Sequence, residues 1–150
     1  MQTSNTAAKY YRFALILYSA AALLYLLLFA GVAAVTYASG EDGGPFLYGG
    51  GVLLLFWLPA EIYLLAQYLH YKKVILADMQ TVKLERTDTS LMRRIGFEAT
   101  VTVGGVRTTI VTKHVFGAGM YGVNLLDDYA GKTVEIGRDV RRDEWIVLGN

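Results

Sequence analysis

Glu61 is the residue whose chemistry most needs an explanation, because it lies in an otherwise apolar segment. Residues 46–71 hold no other Asp, Glu, Lys or Arg, and Pro59 stands shortly before the glutamate. A carboxylate in hydrocarbon is costly, so such a residue usually faces a partner group or a wet cavity. Pro59 removes a backbone hydrogen bond and can kink a helix just before Glu61. We therefore predict that Glu61 is protonated or hydrogen-bonded and holds helices together within an assembly.

Several side chains in the apolar segments could partner this carboxylate. They are the three deeper tyrosines and one amide that follows Glu61: Tyr18, Tyr25, Tyr63 and Gln67. The same glutamate in a second copy is another candidate partner. Two other interpretations stay open. In the first, Glu61 moves ions or protons, which would require several copies because two helices cannot enclose a path. In the second, a tilted helix brings Glu61 to cytoplasmic water.

Two long apolar segments position these residues. Residues 13–40 carry no charged side chain, and this segment and residues 46–71 both exceed the roughly 20 residues that a spanning helix needs. We predict a transmembrane helical hairpin over residues 1–73, with spans at about 13–37 and 46–71. The first segment is too long for the apolar region of a cleaved signal peptide, which runs to about 15 residues.

The placement of lysine and arginine predicts the orientation of this hairpin. Lys9 and Arg12 precede the first span, whereas the connection ASGEDGGP contains two acids and no base. Further basic residues follow the second span: Lys72, Lys73, Lys83, Arg86, Arg93 and Arg94. Because lysine and arginine stay on the cytoplasmic side, we predict a multi-pass protein of the bacterial cytoplasmic (inner) membrane with both termini cytoplasmic.

Short strand patterns replace the apolar runs from about Val74 onward. Residues 95–103 alternate between apolar and polar side chains, and Gly104-Gly105 joins them to residues 106–116, as in a β-hairpin. The hairpin register pairs Val103 with Val106, Val101 with Thr108, Ala99 with Ile110 and Phe97 with Thr112, and it places His114 opposite Ile95.

Further strands are predicted at residues 79–88, 132–138 and 144–149. The spacing leaves open whether residues 74–80 continue the second helix or begin the first strand. Residues 74–150 therefore predict a cytoplasmic β module, either a small antiparallel β-barrel or a curled sheet of about five strands. The whole chain is predicted to be an α+β membrane protein.

Motifs for catalysis or cofactor binding are weak. Gly117, Gly119 and Gly122 form a G-x-G-x-x-G pattern, but the sequence that follows is too short for the helix and second strand of a dinucleotide site. We interpret it as a glycine loop and Asp127-Asp128 as a turn cap. With no cysteine and two histidines, His70 and His114, no sequence-near metal cluster can be built. The prediction is a non-enzymatic protein without a cofactor or metal.

Basic pairs could contact anionic lipid headgroups, at about 1 kcal/mol per charge near the surface. The candidates are Lys72, Lys73, Arg93 and Arg94, with Arg141-Arg142 as a further pair. The alternative is that these residues are solvated turn charges. No basic stripe stands out at a formal net charge of +1, so nucleic acid is not an expected partner.

The stretches ATVTVGGVRTTIV and GKTVEIGRDVRRDEWIVLG resemble elements of the DUF3592-like small bacterial membrane proteins. The resemblance covers roughly residues 79–149. It implies a small β module beside one or two transmembrane helices and no catalytic residue. Gly137-Arg138-Asp139 stands here without the proline of that family's Y-D-P turn.

Taken together, these patterns predict a membrane-anchored interaction or assembly module. Membrane lipid and either a protein partner or a second copy of the chain are the expected partners. Two other functions stay open, namely an immunity-type protector against a membrane-acting toxin and an oligomeric ion- or proton-conducting component that uses Glu61.

Overall fold

The chain combines two long helices with small antiparallel sheets, which confirms the predicted α+β class. The computed structural model describes residues 5–87, 94–112, 115–116, 129 and 131–148. Its elements are α1 Thr6–Ala38, α2 Gly44–Lys72, β1 Leu76–Lys83, β2 Glu85–Thr87, β3 Arg94–Val103, β4 Val106–Val111, β5 Val115–Phe116, β6 Thr133–Asp139 and β7 Glu144–Leu148. Because α2 ends at Lys72 and β1 begins at Leu76, the chain enters the first strand directly after the helix.

Both helices are long and apolar enough to cross a membrane by length and composition. The first ends in a Schellman motif, with Gly40 in the left-handed conformation at φ 81. The backbone N–H groups of Gly40 and Glu41 donate to the carbonyls of Tyr37 and Thr36, both at 3.1 Å. These bonds satisfy carbonyls that the helix end would otherwise leave unpaired.

The second helix begins directly after this short connection. The backbone N–H of Gly44 donates to the Asp42 carboxylate at 2.9 Å, which satisfies one of the unpaired donors at the start of α2. Pro59 lies inside α2, and the helix continues through it to Lys72. Because proline lacks an N–H, the carbonyl of Leu55 loses its helical donor at this point.

The strands form two sheets rather than one. One has the order β1-β6-β7, and the other joins β2, β3 and β4, with β5 also paired to β3. Only Leu84 separates β1 from β2, and its backbone bonds to Lys132 and Gly131, so one segment of chain contributes to both sheets. Among the described residues these sheets do not close, so the predicted barrel is wrong. Seven strands are described, against about five predicted.

The predicted hairpin of β3 and β4 is confirmed in its register. Val103 pairs with Val106, Val101 with Thr108, and Ala99 with Ile110. Gly104 and Gly105 both have positive φ, at 57 and 84, which is the requirement of a type I′ turn. At the other end of the hairpin, the Thr112 N–H donates to the Phe97 carbonyl at 2.8 Å.

The register predicted beyond Phe97 is wrong by one residue. Ile95 pairs with Val115 and not with His114, which itself lies outside the described residues. The pairing of β3 therefore shifts by one position between Phe97 and Ile95.

The core of the strands lies between the two sheets. Its buried members are Val82, Leu84, Phe97, Ala99, Val101, Val134, Ile136, Trp145 and Val147. Phe97, Ala99 and Val101 alternate with exposed Glu98 and Thr100, as the sequence pattern predicts.

By packing, the chain divides into two compact units. One is Tyr11–Tyr68, and the other combines Met1–Tyr10 with Leu69–Asn150.

Candidate functional site

Glu61 has a hydrogen-bond donor on the other helix of the hairpin. The Ser19 hydroxyl donates to Glu61 Oε1 at 2.5 Å, and both side chains are half-buried. Ser19 lies 19 residues before the end of α1 at Ala38, and Glu61 lies 17 residues after the start of α2 at Gly44. At about 1.5 Å per residue the two are therefore about equally far from the connection. That matching depth can be counted along the chain and includes Ser19 among the candidates, but it does not distinguish Ser19 from its neighbour Tyr18.

The deeper tyrosines of α1 pack against Trp57. The ring centroids of Tyr18 and Trp57 are 4.6 Å apart, and those of Tyr25 and Trp57 are 6.5 Å apart. Trp57 precedes Glu61 by one helical turn, so both lie on the same face of α2. Among the described residues, the buried Trp57 Nε1 has no hydrogen-bond partner. This face of α2 thus carries an indole donor with no acceptor and a carboxylate with one donor.

The remaining residues predicted to surround Glu61 differ in their exposure. Tyr63 is exposed, and Gln67 is half-buried. Close packing of the helices occurs instead at Gly50, where an added Cβ would lie 3.2 Å from the Cβ and Cγ atoms of Phe29. Gly51 faces open space. Gly50 therefore allows the two helices to approach closely within the hairpin.

A second polar cluster ties the ends of the helices to the sheet β1-β6-β7; we call it the root cluster and define it as Asn5, His70, Tyr71, Asp139 and Glu144. Asn5 caps α1, because the Ala8 N–H donates to its Oδ1 at 2.6 Å. Its Nδ2 donates to the Tyr71 carbonyl at 2.7 Å, and its backbone bridges Leu148 of β7. A single buried amide therefore joins α1, α2 and a strand.

Asp139 is the charged centre of the root cluster. It is fully buried, and its Oδ2 lies 2.6 Å from His70 Nε2. Its Oδ1 accepts the Arg141 N–H at 2.8 Å, which forms an Asx turn after β6. Burial alone would raise the pKa of Asp139, but the Arg141 N–H and the His70 side chain hold that pKa below its usual value. An ionised carboxylate only accepts hydrogen bonds, so His70 Nε2 is the donor.

Tyr71 completes the root cluster. Its buried hydroxyl donates to Glu144 Oε2 at 2.8 Å and accepts from Arg142 Nη1 at 3.3 Å. The Arg142 guanidinium also lies 5.3 Å from the centroid of the Tyr71 ring, within cation–π range. Sequence reasoning missed Asp139, Glu144 and Asn5, because 69 residues separate His70 from Asp139 and no local spacing shows their contact.

The basic residues predicted to contact lipid lie in different surroundings. Lys72 and Lys73 are exposed at the end of α2. Arg94 begins β3 and pairs with Phe116, whereas Arg93 lies outside the described residues. The glycine loop at Gly117, Gly119 and Gly122 and the pair Asp127-Asp128 also lie outside them.

Metal ligands do not gather in the part of the chain that the structure describes, where no three His, Asp or Glu side chains come together.

Comparisons with protein-family models, with curated proteins and with solved structures give no match to this chain.

Proposed function

We propose that this chain is a non-enzymatic integral membrane protein of the bacterial cytoplasmic membrane. Its two helices form the anchor, both termini face the cytoplasm, and the β unit is a module that binds a protein partner or a second copy. Lysines and arginines flank the helices on the side of the termini, and the acidic connection lies on the other side.

Exposure of the helices is the observation that carries this proposal. In the most apolar 18-residue stretch of each helix, few residues are buried by the rest of the protein. The buried share of that stretch is 6% in α1 and 0% in α2. Large side chains such as Leu55 and Phe56 are 67% and 76% exposed. A core helix of a soluble protein would be mostly covered by its own chain. Contiguous apolar surface of this extent needs lipid or a partner around it.

The polar groups within the hairpin support assembly. Among the described residues, the Ser19 hydroxyl is the one donor to Glu61, although a carboxyl group offers about four lone-pair sites. Trp57 Nε1 is buried on the same helix face without an acceptor. In hydrocarbon, water cannot supply these missing bonds. A neighbouring helix of a partner or of a second copy would supply them.

The test is sedimentation followed by purification. Membranes from cells that express the full chain are washed with high salt and with alkali, and the pellet is then dissolved in mild detergent. We expect the chain to stay in the pellet until detergent is added, and to purify as a homo-oligomer or with a partner in fixed stoichiometry. Release by alkali would contradict the anchor, and a particle with the mass of one chain would contradict the assembly.

A further inference from the structure

The structure places two exposed apolar side chains and a set of basic residues together where α2 ends and the sheet begins. We call this group the juxtamembrane patch. Its members are Lys72, Lys73, Ile75, Val140, Arg141 and Arg142. We propose that the juxtamembrane patch docks on anionic phospholipid headgroups, with Ile75 and Val140 inserted at the interface. This inference rests on the proposed membrane anchor, because it takes the end of α2 to be the cytoplasmic membrane surface.

The apolar part of the patch is exposed and held in place by backbone bonds. Ile75 and Val140 are each 59% exposed, and the Val140 N–H donates to the Ile75 carbonyl at 3.2 Å. They extend the pairing of β1 with β6, in which Leu76 faces Asp139. Neither residue belongs to the core between the sheets. An apolar side chain that is fixed outward beside a membrane gains by entering the interface.

The turn that carries Val140 is rigidly built. Asp139 accepts the Arg141 N–H through its side chain and the Asp143 N–H through its carbonyl, at 2.8 and 2.9 Å. Asp143 takes the left-handed conformation at φ 54 that closes the turn. Residues 140–142 are therefore presented outward in a fixed geometry, so docking loses little conformational entropy.

The charges of the patch favour an anionic surface. Lys72, Lys73, Arg141 and Arg142 are all exposed. The acidic groups of the same turn bind other residues of the chain. Asp139 is buried against His70, Asp143 pairs with Arg138, and Glu144 accepts from Tyr71. Arg142 lies over the Tyr71 ring at the end of α2, a level where membrane proteins are rich in aromatic residues. Anionic lipid complements this arrangement of charges and needs no second macromolecule.

The chain has no cysteine, so single-cysteine variants need no other substitution. Three positions receive an environment-sensitive fluorophore in the full chain. Val140→Cys reports the juxtamembrane patch, and Leu55→Cys reports the middle of α2. Thr133→Cys is the matched control, because Thr133 is exposed and lies at the opposite end of β6 from Asp139. At 3.3 Å per residue the two ends of this strand are about 20 Å apart.

Each variant is reconstituted into vesicles of phosphatidylcholine alone or mixed with phosphatidylglycerol. Lipids that carry quenchers at shallow or deep positions measure the depth of each label.

We expect the Leu55 label to be quenched from the deep position in both lipids. The Val140 label should shift to the blue and be quenched from the shallow position in the anionic vesicles, and the Thr133 label should respond to neither quencher. If Val140 behaves like Thr133 while Leu55 is deep, the docking surface is overturned and the anchor stands. If the Leu55 label is exposed to water, the anchor itself fails.

Charge removal tests the electrostatic part of the proposal. Arg141→Gln and Lys73→Gln are introduced separately into the Val140→Cys variant, and Lys73→Arg serves as the control that keeps the charge. Each neutralisation should lower the ratio of docked to undocked protein about fivefold in anionic vesicles, since one such charge contributes about 1 kcal/mol near the surface. Quenching that stays unchanged in both glutamine variants would overturn the recognition of anionic headgroups.

Discussion

Ser19 and Glu61 form one hydrogen bond between α1 and α2. In the proposed membrane anchor, water would not replace either partner. Such bonds contribute about 0.6 kcal/mol on average and up to about 1.7 kcal/mol in membrane proteins. We expect Ser19→Ala to destabilise the hairpin by about this amount, because it leaves Glu61 without its donor. In the Glu61→Leu background the same serine change should cost less, because the carboxylate is gone.

The measurement is a double-mutant cycle from unfolding in mixed detergent micelles, with Glu61→Gln as the variant that keeps an acceptor. Additive effects of Ser19→Ala and Glu61→Leu would show that the two residues are not coupled. In the same samples, chemical crosslinking should detect assembly of the Gln variant and less assembly of the Leu variant.

Glu61 could be identified from the sequence because a carboxylate in an apolar run is costly wherever it points. Ser19 could not be identified in the same way. A serine in a helix can bond to a carbonyl of its own preceding turn, so its presence does not indicate an interhelical partner. The contact depends on the relative depth and rotation of two helices. Only the depth can be counted along the chain, whereas the rotation comes from packing at sites such as Gly50 and Phe29.

At the scale of elements, Asp139 links the end of β6, the turn after it and the end of α2. A carboxyl group whose pKa is lowered by folding binds its proton more weakly in the folded state than in the unfolded state. Its contribution to stability is therefore complete above the unfolded pKa of about 3.9, and it is lost as the pH falls through the lowered folded pKa. We expect the β unit to lose stability below about pH 4, and Asp139→Asn to flatten that dependence.

Asp139→Asn should also reduce the free energy of unfolding near neutral pH by about 1–3 kcal/mol, because the buried cluster loses a charge-assisted acceptor. Denaturant unfolding of the full chain in micelles measures both effects through the fluorescence of Trp145. A Trp57→Phe background removes the other tryptophan. Asp143→Asn is the control, because that carboxylate is exposed and pairs with Arg138. A pH dependence that is equal in the Asp139 and Asp143 variants would contradict the assignment.

The elements themselves follow the sequence wherever a local rule applies. Gly104-Gly105 determines the turn, and the alternation of residues 95–103 determines which face is buried, so the β3–β4 register could be predicted. The barrel could not be excluded in that way, because closure depends on which strands pair over long separations. Leu84 ends the pairing of β1 with β6, and β2 then pairs with β3. The root cluster was missed for the same reason, since its residues come from the start, the middle and the last part of the chain.

At the scale of the whole molecule, orientation across the membrane is the feature that the proposed function most depends on. The connection between α1 and α2 carries Glu41 and Asp42 without a base, whereas lysines and arginines flank the other ends of both helices. Because translocation disfavours basic residues, the connection should lie outside the cytoplasm and the β unit inside it. A cysteine at Asp42 and a cysteine at Thr133 therefore report opposite sides of the membrane, and both residues are exposed.

A maleimide reagent that cannot cross membranes is applied to intact spheroplasts and, in parallel, to permeabilised ones. Asp42→Cys should react in both samples, and Thr133→Cys only after permeabilisation. Reaction of Thr133→Cys in intact spheroplasts would place the β unit outside, where it could meet neither a cytoplasmic partner nor the inner leaflet. The parent chain is the blank, since it contains no cysteine. Because both positions are exposed in the fold, the difference between the two samples depends on the membrane and not on burial within the protein.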